Sequence, residues 1–190
     1  MKYRLTIQYD QDVESPCSWD GSWKFYSFNK DHNNYRNPYD FLKIKNDDRI
    51  VVGANIGIQR KLDVGTAFFV SCYEHSGIIY SLIGEGPQCQ WDTSQYAGIL
   101  VWEKQVRNLG PMSYEDRQAD ARAFLKEYND WANGQCFYYS IEKKKSWLID
   151  SCGGYIGADN LKSVLKSEHP ELFAEGVELE LIGDAKWILE

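Results

Sequence analysis

A chain of 190 residues, 43% hydrophobic and 15% aromatic, has enough apolar material for one packed domain. Its net charge of −7 argues against direct binding to a nucleic-acid backbone, which needs clustered Lys and Arg. No apolar stretch has the length of a membrane span, and the opening Met1-Lys2-Tyr3-Arg4-Leu5 goes straight into alternation, so the expectation is a soluble cytoplasmic protein without membrane contact.

In chain order, Tyr3, Leu5, Ile7 and Tyr9 alternate with polar residues and predict a half-buried strand. Residues 10–20 are a loop, and Trp23, Phe25 and Phe28 begin a weaker strand. Asn37-Pro38 predicts a short helix through Ile44. Residues 46–64 hold Ile50, Val51 and Val52 and a glycine-spaced connection. Residues 65–73 and 78–83 read as strands joined by a tight turn at Glu74, His75, Ser76 and Gly77. Residues 96–102 read as a strand buried on both faces, because the apolar run is nearly continuous. Ser113 followed by Glu115 and Asp116 starts a helix to Trp131, with Ala121, Phe124, Leu125, Tyr128 and Trp131 on its apolar face. Asn133-Gly134 stops that helix.

Residues 136–141 and 147–150 predict a hairpin around Lys143, Lys144 and Lys145. A second helix covers residues 159–167, with Leu161, Val164 and Leu165 inward, and residues 177–188 close the chain with alternation. The reading is one α+β domain over residues 1–190, a largely antiparallel sheet with two main helices on one face. Residues 168–190 form an acidic C-terminal segment. They hold seven acids against Lys186 alone and leave −1 for the preceding 167 residues. The five cysteines are odd in number and form no Cys-x-x-Cys pair, which predicts free thiols, with Cys72 and Cys136 as core.

Three polar-aromatic clusters sit at predicted strand ends: residues 73–77, residues 89–95 (Cys-Gln-Trp-Asp-Thr-Ser-Gln) and residues 150–155 (Asp-Ser-Cys-Gly-Gly-Tyr). Their shared position predicts that His75, Cys89, Trp91, Asp92, Asp150 and Cys152 converge. Three chemistries fit such a convergence. A metal site would use His75, Cys89 and Cys152 with the two aspartates, but lacks the close ligand pair that usually anchors one. A thiol nucleophile, Cys89 or Cys152, would take His75 as base and Asp92 as its orienter, with Gly153-Gly154 admitting an oxyanion. A structural polar layer would use His75, Trp91, Asp92 and Asp150, with the Trp91 indole buried and residues 150–154 turning. The structural layer is the reading adopted, with no metal or cofactor expected. His32, in an Asn-rich loop, and His169, before a proline at a helix end, carry no functional expectation.

The same clusters carry a resemblance. Their order is similar to that of a family of uncharacterised bacteriophage-encoded proteins with Tyr-Asp-His-Ser-Gly, then Cys-Pro-Trp-Asp-Ser-Gly-Gln, then Gly-Asp-Val-Tyr-Gly, then Asp-Ser-Cys-Trp-Gly-Phe. Here the matching stretches are residues 73–77, 89–95, 134–138 and 150–155. Glu14-Ser15-Pro16 with Trp19-Asp20 resembles that family's Glu-Ser-Pro-Arg-Glu-Trp-Asp. Glu74, Gln90 and Gly153 depart from the pattern, and the family's His-Arg-Arg-Tyr stretch is absent near Phe28. The likeness covers most of residues 8–157 and brings no established activity. It implies a phage or prophage accessory protein, working in the host bacterial cytoplasm. The expectation is that it binds and inhibits a host protein or protein–nucleic acid complex, such as a CRISPR effector, by masking a basic surface. Glu171, Glu175, Glu178 and Glu180 would then be contact residues. The alternative is a small thiol- or metal-dependent hydrolase using His75, Cys89, Asp92 and Cys152.

Overall fold

A computed structural model describes residues 2–19, 23–44, 56–103, 112–143 and 147–190. Ile50, Val51, Val52, Lys144 and Lys145 lie outside the described residues. The fold is α+β, as the order of elements predicts. Its strands divide between two four-stranded sheets, and the chain forms two compact units. An inner unit spans Pro16–Asn129, and a terminal unit combines Met1–Ser15 with Asp130–Glu190.

The terminal unit is built on β1 (Lys2–Tyr9), β6 (Cys136–Lys143), β7 (Trp147–Ile156) and β8 (Glu178–Gly183), in the order β7-β6-β1-β8. The alternation in β1 does what its spacing predicts: Tyr3, Leu5 and Ile7 are buried beside Phe137, Tyr139 and Ile141 of β6. The covering layer is α4 (Ala158–Glu168), a 3-10 turn at Pro170–Phe173 and α5 (Ala185–Leu189), through Leu161, Leu165, Leu172, Ala185 and Ile188. α5 replaces the end of the predicted final strand, because Gly183 turns the chain at φ 63°. A Cβ there would lie 2.3 Å from the Ile7 carbonyl oxygen, so only glycine fits the turn.

β7 is longer than its hairpin reading and absorbs residues 150–154, which the sequence predicts as a turn. The reason is a bulge. Tyr139 pairs with Cys152 and Phe137 with Tyr155, so β7 holds one residue more than β6 across the Gly153-Gly154 pair. Gly154 adopts φ 82° and its N–H donates to Asp10 Oδ2 at 3.0 Å. A second shift, with Ile141 opposite Asp150 and Glu142 opposite Leu148, leaves Ile149 as an extra residue.

The inner unit is built on β2 (Trp23–Ser27), β3 (Ala67–Glu74), β4 (Ile78–Leu82) and β5 (Thr93–Trp102), in the order β2-β5-β3-β4. Both faces of this sheet are covered. On one, α1 (Pro38–Leu42) and α2 (Ile56–Asp63) bring Phe41, Ile58 and Leu62 over Ala67, Ile99 and Val101. On the other, Phe25 meets Tyr80 and Tyr128 edge to face at 4.5 and 4.9 Å. Tyr128 belongs to α3 (Tyr114–Ala132), whose Ala121, Leu125 and Tyr128 are buried. The start of α3 is capped both ways: Asp116 N–H donates to Ser113 Oγ, and Ser113 N–H to Asp116 Oδ2. Asn129 then reads the open side of β4, accepting from Tyr80 N–H at 2.8 Å and donating to the Tyr80 carbonyl at 2.9 Å. No described helix is long and apolar enough to cross a membrane.

Candidate functional site

The polar chemistry of the inner unit gathers where β3 ends and β5 begins. β5 carries an irregularity there: Val70 pairs with Gly98 but Cys72 with Ser94, so β5 holds extra residues around Tyr96. Tyr96 sits at φ 56°, a left-handed conformation that a bulky residue rarely takes, and its ring packs edge-on to Phe69. The displaced segment opens a cavity of about 300 Å³ lined by Phe28, Asn29, Pro38, Glu74 and residues 94–97.

Next to that cavity, Cys72 and Glu74 project from the same face of β3, two residues apart. The loop after β2 brings His32 to them. His32 Nε2 lies 3.2 Å from Glu74 Oε1, and the Cys72 thiol donates to the same oxygen at 3.6 Å. The Asn29 amide nitrogen donates to His32 Nε2 at 3.1 Å and to Glu74 Oε1 at 3.2 Å. The other ring nitrogen, Nδ1, bonds to the Tyr80 hydroxyl. Where Asn29 donates to Nε2, the ring lone pair meets the Asn29 N–H, with Glu74 Oε1 beside it. The His32 side chain is only 8% exposed and Cys72 is 1% exposed, while Glu74 reaches solvent. Burial, with the Glu74 carboxylate adding to it, pushes the Cys72 thiol up to about 12. Burial likewise raises the Tyr80 phenol.

Three of the residues expected to converge do so around Asp92, beside Glu74. His75 Nδ1 stands 3.5 Å from Asp92 Oδ2, and the Cys89 thiol donates to the same oxygen at 3.3 Å. Glu74 N–H donates to the Asp92 carbonyl, which ties the two strand ends together. The loop is self-bonded: Cys89 N–H donates to Thr93 Oγ1, and the Thr93 hydroxyl to the Pro87 carbonyl. The carboxylate therefore stands between thiol and imidazole, whereas an activated nucleophile has the imidazole against the thiol. Trp91 is 86% exposed, which corrects the expectation of a buried indole. It lies in the turn before β5, where backbone and Thr93 bonds hold the loop without it.

Asp150 and Cys152 belong to the terminal unit, on β7, so the six expected partners are divided between the units. Cys152 is exposed. Asp150 is part of a polar cluster of its own. The Tyr139 hydroxyl donates to Asp150 Oδ2 at 2.7 Å, and His169 Nε2 lies 3.0 Å from that oxygen and 3.1 Å from the hydroxyl. His169 Nδ1 contacts Glu171 at 3.3 Å. The Tyr139 hydrogen bond holds the Asp150 carboxyl below its ordinary value. His32 and His169, which the sequence leaves without a role, are thus the two central imidazoles. The available signal for the first was Cys72 and Glu74, two apart on a strong strand.

Three of the four acids proposed as contacts have partners within the terminal unit. Glu178 pairs with Lys2 at 2.6 Å, Glu180 with Arg4 at 3.4 Å, and Glu171 with His169. Glu175 is exposed and follows the short 3-10 turn. Comparison with protein-family models, with curated proteins and with solved structures finds no match to this chain.

Proposed function

We propose that this chain is an interaction protein of the phage accessory type, which binds a basic host protein and blocks it. The observation that supports this reading is three consecutive exposed apolar residues on an edge strand of the terminal unit. Trp147, Leu148 and Ile149 are 79%, 62% and 46% exposed on β7, which among the described residues has a strand partner on one side. Large exposed apolar side chains on an edge strand, a Trp among them, are the composition of a binding surface. The terminal unit has 14 acids against 8 bases, so it carries −6 of the −7 net charge. An apolar patch within an acidic unit suits a basic protein surface, and the charge speeds encounter. The target as a CRISPR effector is the narrowest form of the proposal and rests on the family resemblance. The hydrolase reading is weaker, since Cys89 and His75 meet only through Asp92 and Cys152 lies in the other unit.

The test is affinity capture from host lysate with wild type and with Trp147→Ala/Leu148→Ser, at low and high salt. The expected result is a basic protein captured by wild type at low salt and lost with the variant. Capture unchanged by the variant, or independent of salt, would remove this patch as the binding surface.

A further inference from the structure

The His32 cluster has the ligand types, spacing and orienting contacts of a metal site. A tetrahedral zinc ion with bonds of about 2.0–2.1 Å to nitrogen and oxygen and about 2.3 Å to sulfur has ligand edges of roughly 3.3 Å for N···O and 3.6 Å for S···O. The structure has 3.2 Å between His32 Nε2 and Glu74 Oε1 and 3.6 Å between Cys72 Sγ and Glu74 Oε1, and all three donor atoms fall within 4.8 Å of one another. Hydrogen bonds to Tyr80 and Asn29 already hold both ring nitrogens, so the imidazole is preset with Nε2 beside Glu74. Tyr80 holds Nδ1, the outer contact that in metal centres fixes the imidazole and frees Nε2 for the ion. Tyr80 is itself buried and its hydroxyl reaches Ser27 Oγ at 3.5 Å, so the orienting contact is part of the core.

We propose that His32 Nε2, Cys72 Sγ and Glu74 Oε1 form a three-ligand site for a zinc-class divalent cation. One nitrogen, one sulfur and one oxygen donor is a borderline set, which suits zinc better than all-oxygen ions such as magnesium or calcium. Binding is an acid–base exchange with no redox change. The ion takes the place of the thiol proton, which leaves to solvent, and displaces the Asn29 amide from its bonds to Nε2 and Oε1. A water completes the coordination on the side of Asn29 and Glu74, the residues that also border the cavity. The second cluster, His75, Asp92 and Cys89, does not qualify in the same way. His75 is largely exposed, and its ring meets Asp92 and the stacked Tyr73 ring, without a buried hydroxyl like that of Tyr80 among the described residues.

The experiment is a cobalt titration of the whole chain followed by absorption spectroscopy, with zinc as competitor. The expected result is one equivalent of Co²⁺, a thiolate-to-metal charge-transfer band, strong tetrahedral ligand-field bands, and loss of both when zinc is added. Cys72→Ser should abolish the charge-transfer band, while Cys89→Ser and Cys152→Ser keep it. His32→Gln should weaken affinity by more than about 100-fold and Tyr80→Phe by roughly 10–100-fold. Far-UV circular dichroism identifies any variant that fails to fold, and the wild-type titration decides the matter without variants. Absence of the charge-transfer band in wild type overturns the site, as does a band that depends on Cys89 instead of Cys72.

Discussion

The two units each hold a histidine between a tyrosine hydroxyl and a carboxylate, and they use it differently. In the terminal unit, Tyr139 and Asp150 both bond to His169 Nε2, and Glu171 takes Nδ1. Both ring nitrogens are committed to oxygen partners, and the cluster ties β6, β7 and the end of α4 together. In the inner unit, Tyr80 takes Nδ1, while Nε2 meets the Asn29 amide and the Glu74 carboxylate that also accepts from the Cys72 thiol. The same three residue types make a closed polar network in one place and a set of convergent ligands in the other. The deciding differences are which ring nitrogen the tyrosine holds and whether a cysteine stands opposite.

That comparison can be broken most directly by thermal unfolding with and without zinc. At 100-fold excess over its dissociation constant the ion should stabilise by about 2.7 kcal/mol. Cys72→Ser should abolish the gain and Asp150→Asn should leave it intact; a gain that Asp150→Asn removes would reverse the two roles. Next in size, Tyr139→Phe should cost about 1–3 kcal/mol in urea unfolding, since the buried hydroxyl serves both Asp150 and His169. A cost near zero would mean that the terminal cluster is not holding β7 to the sheet.

A smaller effect should appear at acid pH. Because the folded state holds the Asp150 carboxyl below its ordinary value of 3.8, the ionised form stabilises folding above that value, and this contribution is lost as pH falls through the lower folded value. Melting temperatures measured from pH 6 down to 2 should fall less steeply below about pH 4 in Asp150→Asn than in wild type. Parallel curves would remove Asp150 from the acid transition. The smallest expected change is that of Trp91→Ala, within about 0.5 kcal/mol, because the indole stands in solvent. A loss of several kcal/mol would restore the buried indole that the sequence predicts.

Much of the architecture was legible where burial and spacing agree. Alternation in residues 3–9 identified Tyr3, Leu5 and Ile7 as core, and the continuous run from Ala97 to Val101 identified a strand covered on both faces. Ala121, Leu125 and Tyr128 followed from helical spacing. Residues 150–154 were misread because Gly153-Gly154 has the composition of a turn, whereas a strand uses the pair to form a bulge against Asp10. Trp91 was misread because composition alone does not separate an aromatic in a core from one at a loop tip. The meeting of His75, Cys89 and Asp92 was legible from their places at strand ends. The His32 site was not, since a loop some forty residues before Cys72 supplies its nitrogen, and no local pattern records that return. Asp150 and His169 are likewise joined by packing of α4 on the sheet, which no spacing encodes.

The parallel pairing of β1 with β8 has a consequence for how the chain comes to be folded. Lys2 lies beside Glu178 and Ile7 beside Gly183, so β1 acquires one of its two neighbours from residues about 176 positions later. During synthesis the inner unit has all its strands once residue 102 has emerged and its helix soon after. The sheet of the terminal unit stays incomplete until residues 178–183 have been made. Contacts of such separation carry the largest loop-closure cost and form late. Of the two units, the inner one is therefore positioned to fold first and the terminal one to follow once residues 178–183 have been made.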